Sequence, residues 1–140
     1  MKDLTQSTSA HKSSHIIVFG GTSGLGLALA LHHQALDWQV SVIGHSTAKI
    51  DRLNSQHPDI VTYCCDLTDN AQTQSLLESL SNISFQRVIY SAGSYTNERV
   101  HHLSQADSDQ MLAINLQAFE QVFRWASEQL KRESRSMDFN

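Results

Sequence analysis

The sequence predicts an α/β protein with a doubly wound parallel sheet of about four strands. Two observations support this fold class. Short apolar, β-branched runs alternate with segments of helical periodicity, and a glycine-rich turn joins the first run to the first helical segment. Strands that are connected through helices run parallel, with right-handed crossovers. No internal repeat and no second domain interrupts this alternation.

The first strand is predicted over residues 15–20, where the run His-Ile-Ile-Val-Phe stops at two glycines. The first helix is predicted over residues 24–36, because good helix formers follow the glycine turn. Glycine has no Cβ, so the turn can bend sharply and lie close to a phosphate. The helix then directs free N–H groups and the positive end of its dipole towards that phosphate. This order of elements indicates a dinucleotide site.

The middle of the chain continues the alternation. The second strand is predicted over residues 38–43 and ends at Gly44. Ser46 is a suitable N-cap for a second helix, which extends to about residue 56. The third strand is predicted over residues 60–65, after a proline-containing break.

Thr68 or Asp69 is expected to cap the third helix, which has one leucine-rich face. The fourth strand is predicted over residues 86–91. The expected strand order is 3-2-1-4, that of one Rossmann-like half, and the sequence ends before a fifth strand begins. The fourth strand is therefore expected to be an open edge. Because unpaired edges bind other chains, we expect a homo-oligomer or another chain that covers it.

A long helix is predicted over residues 107–130, because apolar side chains recur along one face. This face comprises Leu112, Asn115, Leu116, Phe119, Val122, Phe123, Ala126 and Leu130. Within it, Leu116, Phe119 and Phe123 are expected to cover the sheet. Four other side chains are expected to point elsewhere: Met111, Ile114, Ala118 and Trp125.

The glycine spacing G-x-x-x-G-x-G resembles the fingerprint T-G-x-x-x-G-[IL]-G of the short-chain dehydrogenase/reductase family, with Phe19 in place of the threonine. The resemblance covers residues 14–130 and corresponds to the N-terminal half of the family's domain. It implies that the turn binds the pyrophosphate of a nicotinamide dinucleotide. The implied residues are Gly20, Gly21, Thr22, Ser23, Gly24, Leu25 and Gly26. The Ser23 hydroxyl is expected to meet a phosphate or a ribose.

Two further segments resemble the family where strands end. Asp66 and Leu67 follow the third strand, where the family places an aspartate against the adenine amino group. The alternative is that Asp66 only terminates the strand or caps a helix. The segment Ser91-Ala92-Gly93 resembles the family's N-N-A-G motif, which borders the nicotinamide ribose. In this motif Tyr90 and Ser91 replace the two asparagines.

The residues after the second strand indicate the type of cofactor. An enzyme that uses NAD usually has an acidic residue there, which accepts hydrogen bonds from the ribose 2′-OH. This chain has Gly44, His45 and Ser46, so no carboxylate would repel a 2′-phosphate. His45 stands where NADP-dependent members often have arginine, and Ser46 lies at a helix N-terminus. We therefore expect NADP as the preferred cofactor, with NAD as the alternative.

Asn115 is the one residue that matches the family's catalytic set. It is an amide within an apolar stripe and so requires partners. In the family, an asparagine of the matching helix holds a water of the proton relay; the alternative is an asparagine that kinks the helix or lies at an interface.

The remaining catalytic residues of the family are a serine, a tyrosine and a lysine four residues after the tyrosine. Of the tyrosines in the sequence, only Tyr95 has a cation at that spacing, Arg99, which cannot exchange its proton at neutral pH. We therefore predict an NAD(P)-binding, oxidoreductase-like protein that lacks the catalytic serine and Tyr-x-x-x-Lys and is inactive alone. The alternatives are a nucleotide-sensing or partner-binding module, or a fragment or remnant of a longer reductase.

Composition limits the other possibilities. The 140 residues are 40% apolar and 17% charged, with a net charge of −4, which predicts one domain and no nucleic-acid or membrane binding. We expect a disordered leader over residues 1–14, the nucleotide-binding domain over 15–130 and a flexible charged tail over 131–140. The adjacent Cys64 and Cys65 are expected to be reduced thiols of a cytoplasmic protein. Neighbouring histidines diverge and lack further ligands at zinc spacing, so no metal is expected.

Overall fold

The computed structural model describes residues 14–92 and 104–138. The parallel sheet has the strand order β3-β2-β1-β4, as predicted. Its strands are β1 (His15–Phe19), β2 (Gln39–Gly44), β3 (Val61–Cys64) and β4 (Arg87–Tyr90). The helices are α1 (Gly24–Ala35), α2 (Thr47–Gln56), α3 (Asn70–Leu80) and α4 (Gln105–Asp138). The structure thus confirms the Rossmann-like α/β class.

Alternate residues of β1 face two separate apolar cores, because successive side chains of a strand point to opposite faces. Ile16 and Val18 pack towards α1 and α2, whereas Ile17 and Phe19 pack towards α3 and α4. All four of these side chains are fully buried. This burial on both faces explains why β1 reads as a continuous apolar run.

The predicted helix caps are resolved in detail. The Ser46 hydroxyl accepts a hydrogen bond from the Lys49 backbone N–H at 3.3 Å, which confirms Ser46 as the cap of α2. Asp69 caps α3 by accepting from the N–H groups of Ala71 and Gln72. Thr68, the other candidate, instead donates to Asp66.

The face that α4 turns to the sheet differs from the predicted one. Leu116 and Phe123 are 65% and 60% exposed, whereas Ala118 is buried. Trp125 packs on the core, with its ring 5.2 Å from Phe85 and its indole N–H donating to Ser81. The small side chain of Ala118 lets α4 approach closely enough for this ring to fill the core, so volume and not hydrophobicity decides the contact.

The rest of the predicted α4 face is confirmed only in part. Val122 and Ala126 are buried as expected. Phe119 is 41% exposed, although its ring still contacts Tyr90 at 5.3 Å. The helix α4 therefore has an exposed apolar ridge on the β4 side of the sheet. This ridge consists of Leu112, Leu116, Phe119 and Phe123.

The helix α4 also ends later than predicted. It continues through Asp138, so residues 131–138 are helical where a tail was expected. One contact helps to explain the extension: the Glu133 carboxylate accepts hydrogen bonds from the Ser84 hydroxyl at 2.6 Å and the Gln86 amide at 3.4 Å. These bonds anchor the last turns of α4 to the loop that precedes β4.

Two buried histidines lie at the opposite end of the sheet from the strand C-termini. The ring of His15 is 2.8 Å from the Ser41 hydroxyl, and burial lowers the pKa of His15 below its usual value. His33 donates from Nδ1 to the Leu29 carbonyl, so its Nε2 accepts a hydrogen bond from Arg87. Burial therefore favours the neutral imidazole of His15.

No group of His, Cys, Asp or Glu side chains suited to a metal lies within residues 14–92 and 104–138. In the same part of the chain, no helix combines the length and apolarity needed to cross a bilayer. Cys64 and Cys65 are free thiols, one exposed and one buried. Residues 1–13 of the expected leader, Gly93, and the pair Tyr95 and Arg99 lie outside the described residues.

Candidate functional site

A cavity of about 180 Å³ opens at the carboxyl ends of the four strands, beside α4. Open α/β sheets bind ligands at this edge, where neighbouring strands connect in opposite directions. In the order β3-β2-β1-β4, that switch lies between β1 and β4. The lining residues are Gly20, Ile43, Gly44, His45, Cys65, Asp66, Leu67, Thr68, Tyr90, Ala92, Asn115 and Ala118.

Gly20 lies at the end of β1, in close contact with the backbone of the segment that follows β4. Its φ of +86° is unfavourable for residues with a side chain, and an added Cβ would lie 2.6 Å from the backbone nitrogen of Ala92. The Ser91 N–H donates to the Phe19 carbonyl at 2.7 Å in the same region. The glycine therefore allows the ends of the two strands to meet at the floor of the cavity.

Gly26 has a packing role that the motif alone does not reveal. A Cβ at this position would overlap the carbonyl oxygen of Gly20 and lie 3.0 Å from its carbonyl carbon. The missing side chain thus lets α1 pack against the end of β1. A bulky residue here would displace the helix, in addition to any effect on a pyrophosphate bound at the turn.

The N-terminus of α1 is open. Gly24 has a φ of +58°, and a Cβ there would meet no atom within 4 Å. Ser23 occupies the N-cap position without a side-chain hydrogen bond to the helix, and Leu25 is 69% exposed. The first N–H groups of α1 have no side-chain cap from Ser23, which leaves them available to an anion.

Asp66 provides the single carboxylate among the residues that line the cavity. One of its oxygens accepts hydrogen bonds from the Thr68 hydroxyl at 2.6 Å and the Thr68 N–H at 3.0 Å. These two bonds, with a smaller contribution from His45, hold the pKa of Asp66 below its usual value. Asp66 therefore remains an ionised acceptor at neutral pH and does not cap α3.

The wall formed by the end of β2 carries no acid. Gly44 is packed so closely that a Cβ would lie 2.5 Å from the Thr22 methyl group. His45 is exposed and lines the cavity, while Ser46 uses its hydroxyl to cap α2. The Cys64 thiol points to the His45 carbonyl at 3.8 Å.

Tyr90 and Asn115 complete the cavity on its α4 side. The ring of Tyr90 lies 6.2 Å from Phe19 and is half-buried, and burial raises the pKa of its phenol. Asn115, predicted from its place in an apolar stripe, does line the cavity. The structure thus brings together residues from the ends of all four strands and the side-chain amide of Asn115 on α4.

Not every predicted residue lines this cavity. Thr22, Ser23 and Gly24 border a second cavity of about 240 Å³ between α1 and α2. Ser91 is exposed and contributes a backbone bond. Sequence reasoning missed five residues that line the first cavity: Ile43, Cys65, Thr68, Tyr90 and Ala118. It also missed Lys49 and Arg52 in the second cavity. A position at or just after a strand end would have found the first four, whereas Ala118 and the two cations depend on how the helices pack.

This sheet order and this cavity define a Rossmann-like α/β protein. The family model described as short chain dehydrogenase matches residues 14–137. The chain belongs to the short-chain dehydrogenase family.

Among curated proteins, the chain is similar to the uncharacterized oxidoreductase DltE of Bacillus subtilis. The two are 35% identical over 63 residues, a match that covers 45% of this chain and 25% of DltE. The alignment therefore spans a small part of that relative.

Solved structures share the fold at low identity. A 2-keto-3-deoxy-D-gluconate dehydrogenase from Streptococcus agalactiae superposes with a TM-score of 0.73 and 17% identity, covering 87% of this chain and 48% of that one. A variant of ElxO with NADPH bound gives 0.72 and 17%, covering 86% and 52%. The chain thus spans about half the length of these structures.

Proposed function

We propose that this chain binds a nicotinamide dinucleotide across the carboxyl edge of its sheet, as an oxidoreductase-like member of its family. The observation that carries the proposal is the cavity that brings together Gly20 of the glycine turn, Asp66 and Asn115. In this arrangement Asp66 and Leu67 receive the adenine. The open N-terminus of α1, with Leu25 and the turn before it, receives the pyrophosphate. Ser91 and Ala92 border the nicotinamide ribose.

NADP(H) is the proposed preference over NAD(H). Support comes from the β2 wall, where His45 and Ser46 stand in place of an acid that would repel a 2′-phosphate. Asp66 does not substitute for that acid, because it follows β3 and has one oxygen engaged by Thr68. A variant of ElxO, which shares the fold, is described with NADPH bound.

We further propose that the chain binds the cofactor but does not turn over carbonyl substrates alone. Tyrosine needs a nearby cation to lower its pKa for proton transfer. Burial raises the pKa of Tyr90, which makes it a worse acid donor. The second candidate is a module that senses the nucleotide or binds a partner, which the same cavity would serve. Steady-state oxidation of NADPH by ketones, aldehydes or quinones with the purified chain would contradict the proposal that the chain alone does not turn over substrate.

The exposed ridge on α4 and the outer position of β4 support an oligomer, or another chain that covers this edge. The free thiols of Cys64 and Cys65 support a reducing, cytoplasmic location.

Calorimetric titration with NADPH, NADP, NADH and NAD tests the cofactor proposal. We expect saturable binding, tighter for the phosphorylated forms. Asp66→Asn should weaken binding of all four by about tenfold, the effect of losing one charge-assisted hydrogen bond. The control is Asp59→Asn, an exposed carboxylate outside the cavity, which should bind like the unaltered chain. No saturation by any of the four at millimolar concentration would refute the proposal.

A further inference from the structure

The second cavity lies between α1 and α2 and adjoins the first. Thr22, Ser23 and Gly24 form its upper rim. Thr22 also packs against Gly44, which lines the first cavity, so this contact lies between the two cavities. A ligand that fills the first cavity and follows the glycine turn would therefore place a substituent at the mouth of the second.

Two cations line this second cavity. Lys49 and Arg52 are three residues apart on α2, a spacing that puts both on one helix face. No acidic residue lines the cavity with them. Neither Lys49 nor Arg52 forms an ion pair with a carboxylate of the described residues, where the ion pair is Arg124–Glu120 on α4. This local positive charge stands against a net charge of −4 for the whole chain.

The cations suit a phosphate dianion. An arginine can donate two parallel hydrogen bonds to phosphate oxygens, and a lysine acts as a mobile point charge. His45 lines the first cavity on the β2 side and is not among the residues that line the second. The open N–H groups of α1 lie on the same rim and contribute partial positive charge.

We propose that Lys49 and Arg52 bind the 2′-phosphate of NADP(H), so that α2 and not His45 makes the choice of cofactor. This inference rests on the proposed nucleotide site and names two residues that select within it. It places the discriminating charge on α2, four and seven residues after His45, the position where the motif after β2 would locate it.

The test compares two probes that differ only in this phosphate, adenosine 2′,5′-bisphosphate and adenosine 5′-monophosphate, by calorimetric titration of the whole chain. The variant is K49Q/R52Q. Its matched control is R124Q/K131Q, which removes the same charge from α4. Circular dichroism verifies that both variants retain the fold, since all four side chains are exposed.

We expect the unaltered chain and the control to bind the bisphosphate more tightly than the monophosphate. K49Q/R52Q should reduce affinity for the bisphosphate by about tenfold or more and leave affinity for the monophosphate within about twofold. The preference should also weaken with added salt. His45→Gln is expected to change the ratio less than K49Q/R52Q does.

Two results would overturn the inference in different ways. An unchanged bisphosphate-to-monophosphate ratio in K49Q/R52Q, with both probes bound, would refute the role of these cations while the nucleotide site stands. An equal loss of ratio in R124Q/K131Q would show that net charge alone governs the preference. If the unaltered chain binds neither adenosine probe nor NADPH, the proposed function itself fails and the inference falls with it.

Discussion

Replacing Gly26 with alanine should destabilise the fold far more than the same change at Gly24, although both glycines belong to one motif. The added Cβ at Gly26 would overlap the Gly20 carbonyl oxygen and lie 3.0 Å from its carbonyl carbon and 3.2 Å from the Gly21 Cα. All these atoms are backbone, so no side chain can rotate away. At Gly24 the Cβ meets nothing within 4 Å, and only the φ of +58° opposes it.

The magnitudes follow from these contacts. Relieving the overlap requires α1 to move away from β1 by roughly 1 Å, which places the cost at the upper end for overpacking, about 3 kcal/mol. A left-handed non-glycine residue costs about 1 kcal/mol. For a domain of this size, about 4 °C of melting temperature is lost per kcal/mol. We therefore expect losses of about 12 °C for Gly26→Ala and about 4 °C for Gly24→Ala.

Thermal and urea unfolding, followed by circular dichroism, measure both variants against the unaltered chain. Because the clash lies between α1 and β1, the loss should occur with and without nucleotide. Equal melting temperatures for the two variants would refute the packing role of Gly26. So would a Gly26→Ala variant that melts normally but no longer binds nucleotide, since that result restores the pyrophosphate explanation.

Two further outcomes are expected. Burial lowers the pKa of His15 in the folded state, so as the pH falls the unfolded state binds a proton at this histidine before the folded state does. The free energy of unfolding is therefore unaffected by His15 above about pH 6.5 and decreases as the pH falls towards the folded pKa. Urea unfolding at neutral and mildly acidic pH should show a smaller acid loss for His15→Gln, and an identical pH profile would exclude this histidine as a cause. On α4, Phe123→Glu should shift an oligomer towards monomer without lowering the melting temperature, because Phe123 is 60% exposed. Light scattering at micromolar concentration measures the shift, and an unaltered chain that is already monomeric would argue against association through the ridge.

Local pattern was sufficient for the strands and their order. The run through β1 is apolar on both faces because each face has its own core, and such a run is distinctive in a sequence. Parallel strands joined by helices leave few possible orders. The residues at strand ends, such as Asp66, could then be assigned to one edge of the sheet without coordinates.

The orientation of α4 could not be obtained in the same way. Periodicity identifies a face but weighs Phe123 above Ala118, whereas close packing favours the smaller residue where two layers approach. The role of Gly26 also depends on a contact between α1 and the carbonyl of Gly20, which the spacing of a motif does not reveal. Lys49 and Arg52 appear in the sequence as ordinary exposed helix charges, and only the packing of α2 against α1 brings them to the glycine turn.

The two tryptophans of the chain lie on opposite sides of the sheet. Trp125 stacks on Phe85 and meets Phe19 edge to face in the layer of α3 and α4. Trp38 lies beneath the Arg87 guanidinium, 4.8 Å away, in the layer of α1 and α2. Each indole therefore provides a native fluorescence signal for one helical layer. With Trp38→Phe and Trp125→Phe as single-emitter forms, the loosening of either layer can be followed separately, without a dye or a label.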